Sequence, residues 1–250
     1  MKAYILSAVF LLLTLFCGES KAQVITLVGE DAWYPYSAVK DGKLQGFAVE
    51  VLAAAYAEVN VTVKFKSAPY ARCLMLVQSG QELGCFDSIH SSKLAQNFLF
   101  HQEPIFQAQI GIYALSDSLE SNLTDVSMRG KVVGVTHGYT YSEDIDRGIS
   151  IQREVAPTDH SNLRKLLIKR SDYAVIYTRV FDYLMVKFPG EFRGKVKRVG
   201  TVAEENLFVS FSKQRPDAIK YADLLDQGLR KIRSNGKYAK LEQKWSSPEP

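Results

Sequence analysis

Cysteine, histidine and long apolar runs are all scarce in this 250-residue chain, and each shortage excludes a class of protein. There are three cysteines, none in a C-x-x-C pair, and no histidine pair stands at zinc-ligand spacing, so neither a zinc site nor a thioredoxin-like redox centre is indicated. The four histidines, at 90, 101, 137 and 160, are dispersed. No G-x-S-x-G elbow, P-loop or H-E-x-x-H is present, which leaves no motif for nucleophilic, phosphoryl-transfer or zinc-peptidase chemistry and implies no cofactor. Lys and Arg (31) nearly balance Asp and Glu (27) and are interspersed with them, so no basic stripe points to nucleic acid. No low-complexity linker or short-period repeat divides the chain.

One apolar run does stand out, at the start. Met1-Lys2 precedes an apolar stretch from Ala3 to Phe16, followed by Ser20 and Ala22 at small-residue positions. That order reads as a cleavable signal peptide over residues 1–22, cut after Ala22, which sends the mature chain to the periplasm. A membrane anchor is the alternative, but about 14 residues fall short of the ~20 that span hydrocarbon. Lipidation at Cys17 is disfavoured by the bulk of Phe16 before it. Cys73 and Cys85 remain after cleavage, and in an oxidising compartment a disulfide is favoured over a metal or redox pair.

After residue 22 the pattern alternates. Strands are expected at 24–28, 61–65 and 85–89, with helices at 47–56 and 69–79 between them. A second cycle has strands at 131–135 and 173–177, with helices beginning near 141–144 and over 161–170. The chain closes with a strand at 207–211 and helices at 216–235 and 237–245, separated by Asn235-Gly236. Strand–helix alternation of this kind predicts an α/β protein with mainly parallel sheets.

Several segments resemble family 3 periplasmic solute-binding proteins. They are Tyr34-Pro35-Tyr36, the run Gly42-Lys43-Leu44-Gln45-Gly46-Phe47 with Glu50 in the following helix, Arg129-Gly130-Lys131-Val132-Val133-Gly134-Val135, and the ending from Leu229 to Tyr238 closing on Trp245. The resemblance implies a two-lobe clamp joined by two hinge strands. Lobe 1 would hold residues 23–112 and 206–250, and lobe 2 residues 113–205. Its partners would be a small polar ligand and an ABC permease or membrane sensor, and the protein would be a monomer that binds no nucleic acid.

Members of this family that bind amino acids sandwich the ligand between aromatic rings, and clamp its carboxylate with an arginine and its ammonium with an aspartate. Trp33, Tyr34 and Tyr70 could form the aromatic wall, with core packing as the alternative, and Glu30 ends the first strand where an acid would face the cleft. The arginine position falls on Leu94 or Ala95 and the aspartate position near Thr178, so both charge clamps are missing. Lys93, Arg72 or Arg179 could meet an anion instead; solvated or surface-paired arginines are the alternative. Asp87, Ser88 and His90, at the end of a lobe 1 strand, and His137, Tyr139, Thr140 and Tyr177, after lobe 2 strands, complete the expected ligand-binding set. An enzyme on the same scaffold, such as a cyclohexadienyl dehydratase, is a minor alternative with no motif to support it.

Overall fold

The computed structural model describes residues 23–246; the expected signal peptide and its cleavage site lie outside these residues. The first half begins with β1 (Gln23–Glu30), whose apolar residues from Ile25 onward are buried, and continues through a small antiparallel sheet of β2 (Ala32–Trp33), β3 (Ser37–Lys40) and β4 (Lys43–Gln45). Helix α1 (Phe47–Ala57) leads to β5 (Val61–Ala68), α2 (Tyr70–Gln78), β6 (Gly84–Ile89), α3 (Ser92–Asn97) and β7 (Phe98–Phe100). β1 pairs in parallel with β5 from Gln23↔Val61 to Glu30↔Ala68, and with β6 on its other side. Parallel neighbours aligned in this way end at the same level, so Glu30 and the last residues of β6 lie at one edge of the sheet.

Two long strands connect this half to the second. β8 (Phe106–Leu115) leaves and β12 (Val196–Ser212) returns, paired antiparallel from Leu207↔Phe106 to Val196↔Leu115, with register irregularities between Arg198 and Gly200 and between Thr201 and Ala203. Between them come β9 (Val132–Thr136), α4 (Glu143–Arg147), β10 (Gln152–Ala156), α5 (Asp159–Leu167), β11 (Tyr173–Tyr177), α6 (Thr178–Lys187) and α7 (Pro189–Phe192). The combined sheet runs β10-β9-β11-β8-β12-β6-β1-β5, with β7 also on β12. Helices α8 (Ala218–Ser234) and α9 (Lys237–Lys244) close the chain against the first half. This is the expected α/β clamp, but its strands form one continuous sheet rather than two: parallel ladders stand at each end, and the crossing strands β8 and β12 join them by antiparallel pairing.

Close packing is visible where α1 meets α8. A Cβ on Gly228 would stand 2.1 Å from the carbonyl oxygen of Ala55, so only glycine lets the two helices approach this closely. Cys73 of α2 and Cys85 of β6 are joined in a disulfide with their Cα atoms 5.7 Å apart, and both are fully buried beside Val28 and Leu94. It pins the helix that carries Tyr70 to the strand that carries Asp87.

Candidate functional site

A cavity bordered mostly by aromatic and acidic residues lies between the two halves. Glu30, Trp33, Tyr70, Asp87 and Ile89 border it from the first half, and Tyr139, Thr140 and Tyr177 from the second. Apart from Asp87, which lies within β6 two residues before its end, they stand at or just beyond strand ends or at the first turn of a helix, the place where α/β sheets present ligand-binding groups. The cavity has a volume of only about 10 Å³, about the room of one water molecule. The walls therefore touch, and a solute reaches this space only when they part.

Aromatic rings make most of that contact. Trp33 meets Tyr177 edge-on at 4.8 Å between centroids, and Tyr139 at 6.4 Å, while Tyr70 meets Tyr139 edge-on at 5.6 Å. Each of these pairs joins one half to the other. Large rings supply contact area at small entropic cost, and edge-to-face pairs add about 0.5–1.5 kcal/mol each beyond burial.

The polar groups are mostly acids held out of water. Asp87 has a backbone φ of +69°, a left-handed conformation that Asp tolerates better than most residues. The Ser37 hydroxyl donates to Asp87 Oδ2 at 2.8 Å, and Oδ1 is buried with no partner. Burial pushes the Asp87 carboxyl up to about 7 against the Ser37 hydrogen bond. Burial also raises Glu30 well above the ordinary carboxyl range; the Tyr139 hydroxyl, donating to it, opposes this, and the charges of Asp159, Asp87 and Asp31 add to it. The Tyr70 hydroxyl donates to Ser88 Oγ at 2.9 Å.

Asp159 is the functional candidate that sequence reasoning missed. It is the first residue of α5, where an acid ordinarily serves the helix N-terminus in solvent. Here it is 4 % exposed, accepts from Thr136 Oγ1 at 2.5 Å, and leaves Oδ2 buried without a partner. Burial pushes its carboxyl up to about 7, opposed by the Thr136 hydrogen bond. Asp159 borders a second, wider cavity of about 280 Å³ together with Asp31, Tyr34, His160, Tyr183 and Lys187. Its closeness to Glu30 places a third acid beside the first cavity.

The other expected residues are distributed around this centre. Tyr34 packs on Tyr183 at 4.3 Å and on Trp245 at 5.6 Å, in the wall of the wider cavity. Ser88 is buried one step behind Tyr70. His90 is exposed, with its ring against Phe100 and Phe208. His137 is exposed and shares a shallow surface cavity with Glu30 and Tyr70. Arg72 is exposed on α2, and Thr178 is half-buried at the start of α6. The Arg179 guanidinium stands 5.3 Å from the Tyr36 ring and 5.6 Å from the Phe47 ring, outside the cavity lining. Leu94 is buried in the disulfide cluster, and Lys93 is exposed. Among the described residues no group of three His, Cys, Asp or Glu side chains is placed to hold a metal ion.

The cavity lies between the two halves of an α/β fold that matches periplasmic-binding-protein-like structures. Residues 25–248 match the bacterial extracellular solute-binding proteins, family 3, and the chain belongs to that family. An extracellular family places the protein in the periplasm or beyond, and no helix among the described residues is long and apolar enough to cross a membrane. Similar solved structures include a histidine kinase sensor domain with similarity to periplasmic binding proteins (TM-score 0.79, 21 % identity, covering 91 % of this chain and 97 % of that one). An ancestral arginine-binding protein bound to arginine has a TM-score of 0.76 at 20 % identity, covering 91 % of this chain and 100 % of its own. The arginine-, lysine-, histidine-binding protein ArtJ of Geobacillus stearothermophilus has a TM-score of 0.75 at 20 % identity, covering 91 % and 97 %. Among curated proteins no sequence matches this chain.

Proposed function

We propose that this protein captures a small polar solute in the periplasm by hinge closure and hands it to a membrane uptake system of the ABC type, without chemical change to the solute. The observation that carries this reading is the cavity bordered by Glu30, Trp33, Tyr70 and Asp87 on one side and by Tyr139, Thr140 and Tyr177 on the other. Lobe 1 comprises residues 23–112 and 206–250 and lobe 2 residues 113–205, with the rotation taken up where β8 and β12 cross. The irregular register of β12 between Arg198 and Ala203 supports a bend there, since interrupted ladders bend more readily than continuous ones. A solute that touches both walls binds the closed form more tightly, and that difference drives closure.

A thermal-shift screen of amino acids, amines, peptides and organic acids tests the reading. One chemical class should raise Tm in a concentration-dependent way, as ligand linkage requires. No shift with any class would contradict solute capture.

A sensory role, in which the closed clamp is read by a membrane receptor, is the second reading, favoured by the likeness to a histidine kinase sensor domain. Uptake of the identified solute, measured in cells with and without the gene, separates the two. Transport predicts that uptake falls, and sensing predicts unchanged uptake with altered signalling.

A further inference from the structure

We propose that the solute is a small organic cation bearing no carboxylate, such as a primary amine or a guanidine, held between Glu30 and Asp87 and within the rings of Trp33, Tyr70, Tyr139 and Tyr177. This rests on the solute-binding reading above and names the class of its ligand.

The charge around the cavity has one sign. Two carboxyl groups border it, and Asp159 adds a third close by. No lysine, arginine or histidine borders it among the described residues. The cations of the neighbourhood lie outside the lining: Arg72 and His90 are exposed, His137 is exposed in an adjoining cavity beside Glu30 and Tyr70, and Arg179 lies against Tyr36 and Phe47.

The hydrogen-bonding capacity has the same bias. Tyr70 spends its hydroxyl proton on Ser88, and Tyr139 donates to Glu30. Within the lining itself, the spare buried side-chain atoms are Asp87 Oδ1, an acceptor, and Trp33 Nε1, a neutral donor; Asp159 Oδ2 is spare close by, and a spare nitrogen of Arg179 lies outside the lining, against the Tyr36 ring. Asp87 is 7 % exposed, so its unpartnered oxygen is shielded from bulk water. A carboxyl kept dry without a counter-charge favours its protonated form, and an arriving cation is what restores the ionised one.

The rings complete the complement. Aromatic faces attract ammonium and guanidinium groups, and a cage of several rings is the recurrent receptor for organic cations. The backbone N–H groups at the starts of α2 and α6 could face an anion, but a helix end carries roughly half a charge, and the two carboxyl groups bordering the same space disfavour a further negative charge beside them. A zwitterionic amino acid would satisfy the acids with its ammonium while forcing its own carboxylate in among them.

Calorimetric titration of the mature protein at pH 8 with matched pairs tests this, using agmatine against L-arginine and cadaverine against L-lysine. The amine of at least one pair should bind at least tenfold more tightly than its parent amino acid. Asp87→Asn and Glu30→Gln should each weaken amine binding tenfold or more, with circular dichroism confirming that the variants are folded. Equal or tighter binding of the amino acids would overturn the inference and leave solute capture standing. So would failure of both pairs while the wider screen yields another ligand. Failure of every class in the screen would overturn both.

Discussion

Replacing Asp87 by Asn should stabilise the unliganded protein at alkaline pH while impairing its site. The side chains are nearly isosteric, Asn accepts the left-handed backbone at this position, and Ser37 can still donate to the amide oxygen. What changes is the ionisable group. Asp87 titrates near 7 in the folded protein against an ordinary 3.8, so the folded state holds its proton where the unfolded chain has released it. Stability is therefore lost as pH rises from about 4 to about 7, and is level above that. Near pH 8 the ionised carboxylate costs on the order of 4 kcal/mol, and near pH 4.5 about 1 kcal/mol. The amide introduces a new buried donor that itself costs about 1–3 kcal/mol, but this part does not vary with pH. The difference between variant and parent should thus change by about 3 kcal/mol in the variant's favour between pH 4.5 and pH 8, which is roughly 6–12 °C in Tm for a domain of this size. Removing the charge also relieves Glu30, which acts in the same direction. Thermal melts followed by circular dichroism at the two pH values measure the effect. A Tm difference that is constant across this range would refute the account of Asp87 as a dry, unpaired carboxyl.

Three further outcomes follow from the packing. Reducing the Cys73–Cys85 disulfide, which closes a loop across 12 positions, should destabilise the fold by roughly 3 kcal/mol, measured as a drop in the denaturation midpoint with and without reductant. Gly228→Ala should destabilise by about 1–3 kcal/mol in the same assay, because its methyl group would strike the Ala55 carbonyl and force α1 and α8 apart. His101 is buried and held neutral: burial lowers its pKa, its Nδ1–H faces Asp226, and its Nε2 accepts from the Val209 N–H at 2.9 Å. Asp226 raises that pKa again, and the charge of Arg233 lowers it. Since the unfolded histidine takes up its proton first, His101 should remove stability as pH falls through the ordinary histidine value, and His101→Gln should flatten the pH dependence of Tm between 7 and 5.

Much of the framework was legible in the sequence because the signal was local. The apolar run of β1, the helical spacing of α1 and the Asn235-Gly236 break before α9 each lie where the residue pattern put them. The residue pattern of β12 shows a strand only over 207–211, with a crossing strand near 201–207 implied by the family resemblance alone, since its first eleven residues carry Lys197, Arg198, Glu204 and Glu205 and lack an apolar run; pairing with β8 makes that stretch a strand. Helix α6 went unread because it begins directly after β11 with no loop or polar cap to announce it. In the site, strand ends and aromatic residues could be named from the chain alone. Asp159 could not, because an acid at the start of a helix looks the same in sequence whether it faces water or is sealed beneath Thr136.

The central claim is that the walls bearing Trp33 and Tyr177 part to admit a solute and close upon it. Small-angle scattering of the mature protein, alone and saturated with the solute that gives the largest thermal shift, tests this most directly. The account predicts a smaller radius of gyration and a shorter maximum dimension with solute bound. Superimposable curves at saturation, with binding verified by calorimetry in the same sample, would contradict it.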